Sequence, residues 1–512
     1  MNLFSFVSES LSHRAARAAL CFLCLSGVTS LSALAQKSVP PVVHPNIGEK
    51  VVSDDGKLTI QLVGKRQNYG GSADTRDEAI NSPKSVHIHP NGKKYYVNSL
   101  EGGTTVVFES ETNRKLKVVK HNFSAAHDKL WSTPSPLYPF THYPKNNHFM
   151  GKPVESTFSH NGRYLWVPYY RRSYDINAQD PSALAVIDTE TDEIVKLMET
   201  GPLPKMIATS RDGKTIAVAH WGNNTVGLID ISSPNPNEWK HEACIVIDHV
   251  LPLNYSLTTP VDRDNGSGYA LRGTVFTPDN KYLLVGCMGG GGGIAVINLA
   301  EKKYMGRLTG MMPNVRHLII SGDYLYLSIN AKGYVQRIPW RTFVEEAQAL
   351  NASKRSAVVA ADKWTNCKVG TGARTIQATP DGQYIFAACN TSSKLCVVDT
   401  KSMKMIGSIS VDSYPVGLDV SADGHFVYTT SQGRSHHGGN AVDIFTVDYK
   451  ELPVPKDSTA TATDTAATTP PACADGKDAA EASDSFPWIP CCAGGGAVLL
   501  CGGIWWGLSK RH

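Results

Sequence analysis

Five basic residues recur at one position of a repeated sequence pattern, and their chemistry is that of anion binding. Four of them lie eight residues before the Gly or Asn of a tight turn, and the fifth lies six residues before a shorter turn. They are Lys84, Lys205, Arg272, Arg316 and Arg374. Arg offers a planar fork of donors to a carboxylate or phosphate, and Lys adds a point charge. If the repeats bring these side chains together, the sequence predicts a basic site for an anionic ligand.

The same five residues have a second interpretation, which the sequence leaves open. Asp and Glu side chains of neighbouring repeats could pair with each base and join the repeats to one another. Without such partners, like charges held close together raise the free energy of the folded protein unless an anion binds between them. The two interpretations therefore differ in whether the bases are paired within the protein.

Three further residues are predicted to take part in ligand binding, because they follow the second strand of their repeat. They are Tyr169, His220 and Trp221. His220 is a candidate base without an identified partner, so no catalytic residue is assigned. His436-His437 lacks a third ligand, and neither a metal ion nor a cofactor is predicted.

The repeat that must position these residues consists of short apolar-alternating strands joined by tight turns. Asp-Gly and Asn-Gly supply the positive φ that a hairpin turn needs. Seven such turns occur, at Gly92, Gly162, Gly213, Asn280, Gly322, Gly382 and Gly424. The shortest spacing between them is that of a four-stranded propeller blade. The pattern predicts an all-β fold, a seven-bladed β-propeller of four-stranded blades, in which a strand at 57–60 closes the ring against the unit that starts at Tyr414.

The repeat resembles that of the YVTN-type β-propeller family. The units that start at Pro83, Pro204, Gly372 and Tyr414 carry the shared phrase, in which an Asp-Gly or Asn-Gly turn precedes an aromatic and apolar strand. The resemblance covers Asp54 to Tyr449 and implies a bacterial envelope propeller. It is specific for fold and says little about function, since such propellers support unrelated activities.

Three long connections interrupt the repeat, at 120–151, 232–269 and 341–371. Each is expected to join the last strand of one blade to the first of the next, on the face where the basic residues gather. The first is rich in aromatic residues, which fits either a lid over a pocket or a small satellite core beneath a long loop. The third contains a predicted short helix at 342–350, which has an apolar stripe.

The two ends of the chain are expected to lie outside the propeller. We interpret residues 1–35 as a signal peptide, 36–53 as an N-terminal extension, 54–450 as the propeller and 451–485 as a disordered Thr/Ala/Pro linker. Residues 486–512 form a transmembrane or sorting tail, with a predicted apolar helix at 486–508. These segments predict a periplasmic or cell-surface protein that its C-terminal tail anchors to the membrane.

Charge and cysteine content narrow the classes of partner. The formal net charge is only +4 and no Lys/Arg run occurs, so nucleic acid is not an expected partner. The 11 cysteines in 512 residues are too sparse for a disulfide scaffold. Cys389 and Cys396 flank one short turn and could face each other across a hairpin, and their disulfide state stays open.

The leading hypothesis is a non-enzymatic propeller that binds an anionic small molecule or an envelope protein at the basic mouth of its channel. Two alternatives remain. Similar seven-bladed lactonases suggest a hydrolase that acts on an anionic sugar lactone, and similar propellers that hold redox cofactors suggest a cofactor-binding role. The sequence supplies no base for the first alternative and no attachment motif for the second.

Overall fold

In this computed structural model, short turns centred on Gly or Asn recur once in each repeat of the fold. The structure describes residues 41–68, 74–263, 266–351, 353–433 and 438–450. Each of the seven turns joins the two innermost strands of one sheet. The turn residues have φ between 54° and 92°, and they are Gly92, Gly162, Gly213, Asn280, Gly322, Gly382 and Gly424. All seven sequence-predicted turns are confirmed, including the shortened one.

The strands form seven sheets around an axis, so the predicted all-β seven-bladed propeller is confirmed. The first strands are β1 (Lys50–Val52) and β2 (Leu58–Gln67); blade 1 contains β3 (Pro83–Ile88), β4 (Lys94–Ser99), β5 (Thr104–Glu109) and β6 (Lys115–Lys120); blade 2 contains β7 (Gly151–Pro153), β8 (Thr157–Ser159), β9 (Tyr164–Arg172), β10 (Ser182–Asp188) and β11 (Glu193–Thr200); blade 3 contains β12 (Pro204–Thr209), β13 (Thr215–His220), β14 (Thr225–Asp230) and β15 (Lys240–Val246).

The remaining elements follow in the same way. Blade 4 contains β16 (Leu271–Phe276), β17 (Tyr282–Cys287), β18 (Ile294–Asn298) and β19 (Lys303–Thr309); blade 5 contains β20 (Val315–Ser321), β21 (Tyr324–Ile329) and β22 (Tyr334–Pro339), and, after helix α1 (Trp340–Ala347) and β23 (Ser356–Val358), its fourth strand β24 (Thr365–Lys368); blade 6 contains β25 (Ala373–Ala378), β26 (Tyr384–Cys389), β27 (Lys394–Asp399) and β28 (Lys404–Ser410); blade 7 contains β29 (Pro415–Val420), β30 (Phe426–Ser431) and β31 (Ala441–Tyr449). Strand β23 pairs in parallel with β19 and so extends the sheet of blade 4. Single 3₁₀ turns occur at Ala125–Leu130, His160–Gly162, Pro236–Glu238 and Ala361–Lys363.

The ring is closed by β2, which pairs antiparallel with β31 and becomes the fourth strand of blade 7. Ile60 lies opposite Val447 in this register. The predicted closing strand at 57–60 is therefore confirmed, although it continues to Gln67. Closure of this kind pairs a strand edge that would otherwise be free.

Each blade is held by apolar side chains that pack against the next blade. The ring of Tyr95 in blade 1 stacks on Phe108 at 4.9 Å and meets Tyr428 of blade 7 edge-on at 4.8 Å. Each of these aromatic side chains is buried, and full burial of one contributes about 1.5–3 kcal/mol. Neighbouring innermost strands also contact one another around the ring, so these strands line a central channel.

The first and third insertions lie on opposite faces of the propeller, which corrects one sequence-based expectation. The first joins β6 of blade 1 to β7 of blade 2, as expected. The third follows β22 and precedes β24, so it joins the third and fourth strands of blade 5 and leaves on the face opposite the strand starts. The predicted helix is present as α1, which buries Trp340 and Phe343. The fourth strand of blade 5 is only four residues long, and the sequence pattern does not separate it from the insertion. The second insertion, 232–269, also differs from the expectation, because it contains the fourth strand of blade 3, β15.

Several predictions concern segments outside the described residues. They include the signal peptide, the linker and the apolar tail at 486–508, as well as His436-His437. Among the residues that the structure describes, no helix has both the length and the apolar character needed to cross a membrane.

Candidate functional site

The five predicted basic residues all occupy the second position of the innermost strand of their blade. Lys84 lies on β3, Lys205 on β12, Arg272 on β16, Arg316 on β20 and Arg374 on β25. In each of these strands the antiparallel register with the second strand shifts across this residue. Such a bulge leaves the residue out of the ladder and re-aims its side chain. We call the channel end that these five residues surround the basic mouth.

Lys84 and three of the other four basic residues interact electrostatically. Burial lowers the pKa of the Lys84 ammonium well below its usual range, and the positive charges of Arg374, Arg272 and Lys205 lower this pKa further. The carboxylate of Glu155 is the group that opposes them. Charges from blades 3, 4 and 6 therefore act on the Lys84 amine of blade 1.

Glu155 lies in blade 2, one residue after the position where that blade lacks a base. Its carboxylate is 3.3 Å from the guanidinium of Arg272, and both side chains are buried. This pair joins blade 2 to blade 4, so Arg272 is paired within the protein, although by a blade that is not its neighbour. Lys84 and Arg374 differ, since neither forms an ion pair with any residue that the structure describes.

Aromatic rings surround the ammonium of Lys205. Its Nζ lies 4.2 Å from the centroid of the Tyr170 ring and 5.0 Å from that of Trp221. The indole of Trp221 donates a hydrogen bond to the main-chain oxygen of Arg263 at 3.4 Å and is only 5% exposed. Trp221 thus lies against the basic mouth, where it holds a cation in place by cation–π attraction.

Arg374 is the most buried charge of the basic mouth. Arg374 is only 3% exposed, and its Nε has no hydrogen-bond partner among the described residues. A buried guanidinium with an unsatisfied donor is costly. Arg316 occupies the equivalent position on β20 and is half-buried.

A carboxyl group lies further along the channel wall, on the innermost strand of blade 7. It belongs to Asp419, three residues after Val416, which occupies the position of the bases in that blade. Asp419 accepts a hydrogen bond from the main-chain nitrogen of Ile88 at 2.8 Å and one from the Gln377 amide at 3.2 Å. Burial raises the pKa of Asp419 to about 6. The hydrogen bonds fix this carboxyl in place, and its pKa allows it to change charge near neutral pH.

Two imidazoles line the same part of the channel. His87 accepts a hydrogen bond from the main-chain nitrogen of Ser156 at 3.1 Å, and His317 accepts a weaker one from that of Ile376 at 3.4 Å. Burial lowers the pKa of each histidine to about 4; the proximity of His317 lowers that of His87 further, and the charge of Arg272 lowers that of His317. Both rings are therefore neutral at pH 7 and leave the positive charge of the channel to the basic mouth.

His220 and Tyr169, two of the predicted binding residues, lie inside the packed core rather than at the channel surface. Thr200 Oγ1 and the main-chain nitrogen of Gly201 donate to His220 Nε2 at 2.7 and 3.1 Å, and Nδ1 bonds Thr225 Oγ1 at 2.8 Å. Burial lowers the pKa of His220 to about 3. The Tyr169 hydroxyl bonds His121 at 2.9 Å, and neither side chain is exposed. Both can affect a ligand only through the packing they maintain.

The aromatic insertion between blades 1 and 2 packs as a satellite core. Phe123, Tyr138 and Phe149 are each no more than 5% exposed. The guanidinium of Arg172 lies within 5.0 Å of the rings of Trp131, Phe140 and Phe149. Of the two sequence-based interpretations, these contacts favour a buried support for blade 2 over a lid.

Sequence reasoning missed the acidic and neutral groups of the channel. Glu155 directly follows Val154, which the alignment of turns identifies as the blade 2 counterpart of the bases, and this adjacency was an available signal. His87 and Asp419 each lie five residues before the turn glycine of their blade, but the residues at this position in the other blades share no common type. Within the described residues, no group of three or more His, Cys, Asp or Glu side chains is placed to hold a metal ion.

Comparisons with known proteins agree with this architecture. A family model described as "Lactonase, 7-bladed beta-propeller" matches residues 145–451, which is more than half of the chain. Among solved structures, Kuenenia stuttgartiensis Hydrazine Synthase is similar, with a TM-score of 0.50 and 14% identity over 75% of this chain and 99% of that chain. At that identity the likeness concerns the fold alone. No curated protein matches the chain.

The matched segment contains blades 2 to 7 and four of the five bases of the basic mouth, while Lys84 lies before it. The match does not test whether the repeats are of the YVTN type, so that more specific assignment stays a prediction. The chain belongs to the seven-bladed β-propeller lactonase family.

Proposed function

We propose that this propeller binds an anionic small molecule at the basic mouth of its channel. The observation that carries the proposal is the environment of Lys84, on which three cationic side chains act against one carboxylate. Bringing such charges together costs free energy in the empty protein. A carboxylate or phosphate that enters the basic mouth would recover that free energy, which makes this the favoured place for an anion.

The buried state of Arg374 supports the same proposal. A guanidinium whose Nε lacks a partner offers a donor to a ligand, and Lys84 offers an amine that no described residue engages. Arg272 is already paired with Glu155, so an entering anion would share this guanidinium or displace the carboxylate. The ligand would therefore be held mainly between Lys84 and Arg374.

A calorimetric titration with citrate at low ionic strength tests the proposal. We expect the wild type to bind and Arg374→Met to bind at least tenfold more weakly, because one buried charge-assisted contact is worth about 1.5–3 kcal/mol. Lys303→Met, which removes an exposed charge on β19, is the matched control and should bind as the wild type does. Equal affinity in all three proteins, or no binding at all, would reject an anion site at the basic mouth.

A second candidate function is hydrolysis of an anionic lactone, favoured by the family to which the chain belongs. Such a reaction needs a general base within reach of the substrate. Asp419, whose pKa burial raises to about 6, is a better candidate for that base than the enclosed His220. Hydrolysis of gluconolactone and its 6-phosphate, measured for the wild type and Asp419→Asn, distinguishes catalysis from binding alone. A redox-cofactor role has no observation of its own in favour.

The cellular setting is a further part of the proposal. The apolar segment with an Ala-x-Ala end near residue 35 supports export, and the apolar run at 486–508 supports attachment to a membrane. In this setting the ligand would be an anion of the periplasm or cell surface, or an acidic patch of an envelope protein. Fractionation of cells, followed by detection of the protein with and without residues 486–512, tests this placement.

A further inference from the structure

We propose that Lys84 is a nucleophilic amine that forms a Schiff base with an anionic carbonyl compound of the α-keto acid class. The inference rests on the proposed function, since the basic mouth would recruit the carboxylate. It assigns chemistry to a residue that lies outside the segment matched by the family model.

The position of Lys84 favours this role over that of the other bases. Lys84 lies at a bulge near the start of β3, an innermost strand, and is partly exposed. Its Nζ forms no hydrogen bond or ion pair with any residue of the described part of the chain. Lys205, in contrast, lies over two aromatic rings, and a guanidinium is not a nucleophile.

Burial and the charges around Lys84 favour the neutral form of its amine. Burial and the cations Arg374, Arg272 and Lys205 lower its pKa well below the usual range, whereas the opposing carboxylate, Glu155, is itself engaged by Arg272. The remaining ionisable groups nearby on the channel wall are His87, His317, Arg316 and Asp419. A lysine that is desolvated and lies next to other cations is a recognised form of activated nucleophile.

The reaction that this geometry supports is imine formation. The lone pair of neutral Nζ attacks the carbonyl carbon, a C–N bond forms as the C=O π bond opens, and one proton passes from the nitrogen to the oxygen to give a neutral carbinolamine. Loss of the hydroxyl as water, with one further proton from solvent, leaves a protonated imine between Lys84 and the former carbonyl carbon. The process needs no oxidant or reductant, and the positive product remains beside the ligand carboxylate.

The requirement for a carboxylate next to the carbonyl follows from the arrangement of the basic mouth. Arg374 and Arg272 lie at the same bulged strand position as Lys84, and their charges act on its amine, so the basic mouth attracts a carboxylate towards the side of the channel where Nζ lies. Glyoxylate, the smallest compound with this arrangement, is therefore the appropriate probe. Acetaldehyde, which has a carbonyl and no charge, is its matched control.

The experiment is reductive trapping on the folded full-length chain at pH 7. Sodium cyanoborohydride reduces any imine to a stable secondary amine, and peptide mapping by mass spectrometry gives the extent of labelling at each lysine. We expect Lys84 to be labelled by glyoxylate at least about tenfold faster than the exposed Lys303, because a pKa lower by one gives tenfold more neutral amine. Denaturation in urea should abolish the preference, and Lys84→Arg should remove the label while it keeps a hydrogen-bond donor at this position.

The two probes separate this inference from the proposed function. If acetaldehyde and glyoxylate both label Lys84 preferentially and at similar rates, the amine is nucleophilic but the anion site is absent, and the α-keto acid proposal is overturned. If citrate binds in calorimetry while neither aldehyde labels Lys84 faster than Lys303, the basic mouth binds anions and Lys84 is not a nucleophile. The full inference requires preferential labelling of Lys84 and a clear advantage of glyoxylate over acetaldehyde.

Discussion

Replacement of Glu155 by Gln should strengthen anion binding while it weakens the fold. The carboxylate of Glu155 lies 3.3 Å from Arg272 and opposes the cations that act on Lys84. It therefore occupies the basic mouth as an internal anion and competes with a ligand. Gln keeps the shape of the side chain and an oxygen that accepts from Arg272, but it removes the negative charge.

The magnitude follows from Coulomb's law. Two anions that share one guanidinium lie about 6 Å apart, and at an effective dielectric constant of about 20 they repel each other by about 3 kcal/mol. Salt at physiological strength reduces this repulsion, by about half for groups that are partly open to solvent. The expected gain of about 1.5–3 kcal/mol corresponds to an affinity about tenfold to a hundredfold higher.

The effect on stability has the opposite sign. Without Glu155 the buried guanidinium of Arg272 loses its counter-charge, so we expect the free energy of unfolding to fall by about 1–3 kcal/mol. Calorimetric titration with citrate and urea unfolding together measure both changes. Glu101→Gln is the control, because Glu101 pairs with Lys152 at 2.7 Å and is partly exposed. Unchanged or weaker citrate binding by Glu155→Gln would refute the view that this carboxylate competes with a ligand.

Three other substitutions or treatments test the surrounding structure. His220→Ala should lower the free energy of unfolding by about 2–4 kcal/mol and leave citrate affinity unchanged, because this ring is buried with hydrogen bonds at both nitrogens; a change in affinity at constant stability would contradict that role. Since burial raises the pKa of Asp419 from 3.8 to about 6, the folded state holds a proton that the unfolded state releases, and stability should fall by at most about 3 kcal/mol as pH rises from 4 to 6. Urea unfolding of Asp419→Asn across that range should lack this part of the pH dependence. The sulfur atoms of Cys389 and Cys396 lie 3.8 Å apart, so oxidised glutathione should join them, which peptide mapping without reductant would detect; we expect the bond to stabilise the protein by about 2–3 kcal/mol, and two free thiols after oxidation would show that the pair cannot close.

The fold was largely predictable because each repeat contains a tight turn whose residue types are recognisable in the sequence. Seven residues with positive φ are required at seven hairpins, and the chain supplies Gly or Asn at each. The closing strand was also predictable, since an unpaired edge in the last blade needs a partner. The placement of the third insertion was not, because β24 is short and its residues lack the alternation of apolar side chains that identifies a strand.

The candidate site was predictable in part, through position within the repeat. Lys84, Lys205, Arg272 and Arg374 were brought together by alignment on the turns, and the structure places them within electrostatic reach of one another. The bulges that re-aim them leave no mark in composition. Sequence also could not separate Glu155, which enters the basic mouth, from acids that face solvent, because burial depends on neighbouring blades.

His220 and Tyr169 illustrate why residue type alone misleads. Each lies at the end of a second strand, where connections approach the channel, and each has a side chain suited to ligand contact. Their hydrogen-bond partners, Thr225 and His121, come from adjacent strands or from the start of the aromatic insertion. The insertion thus buries groups that a regular blade would leave near the surface.

The most direct test of the anion site is a crystal structure of the full chain soaked in selenate, whose anomalous scattering locates the anion. The proposed function predicts a selenate within the basic mouth, in hydrogen-bond contact with Arg374 and Lys84. Selenate found only at the outer surface, with Lys84 and Arg374 each paired to a side-chain carboxylate, would contradict it.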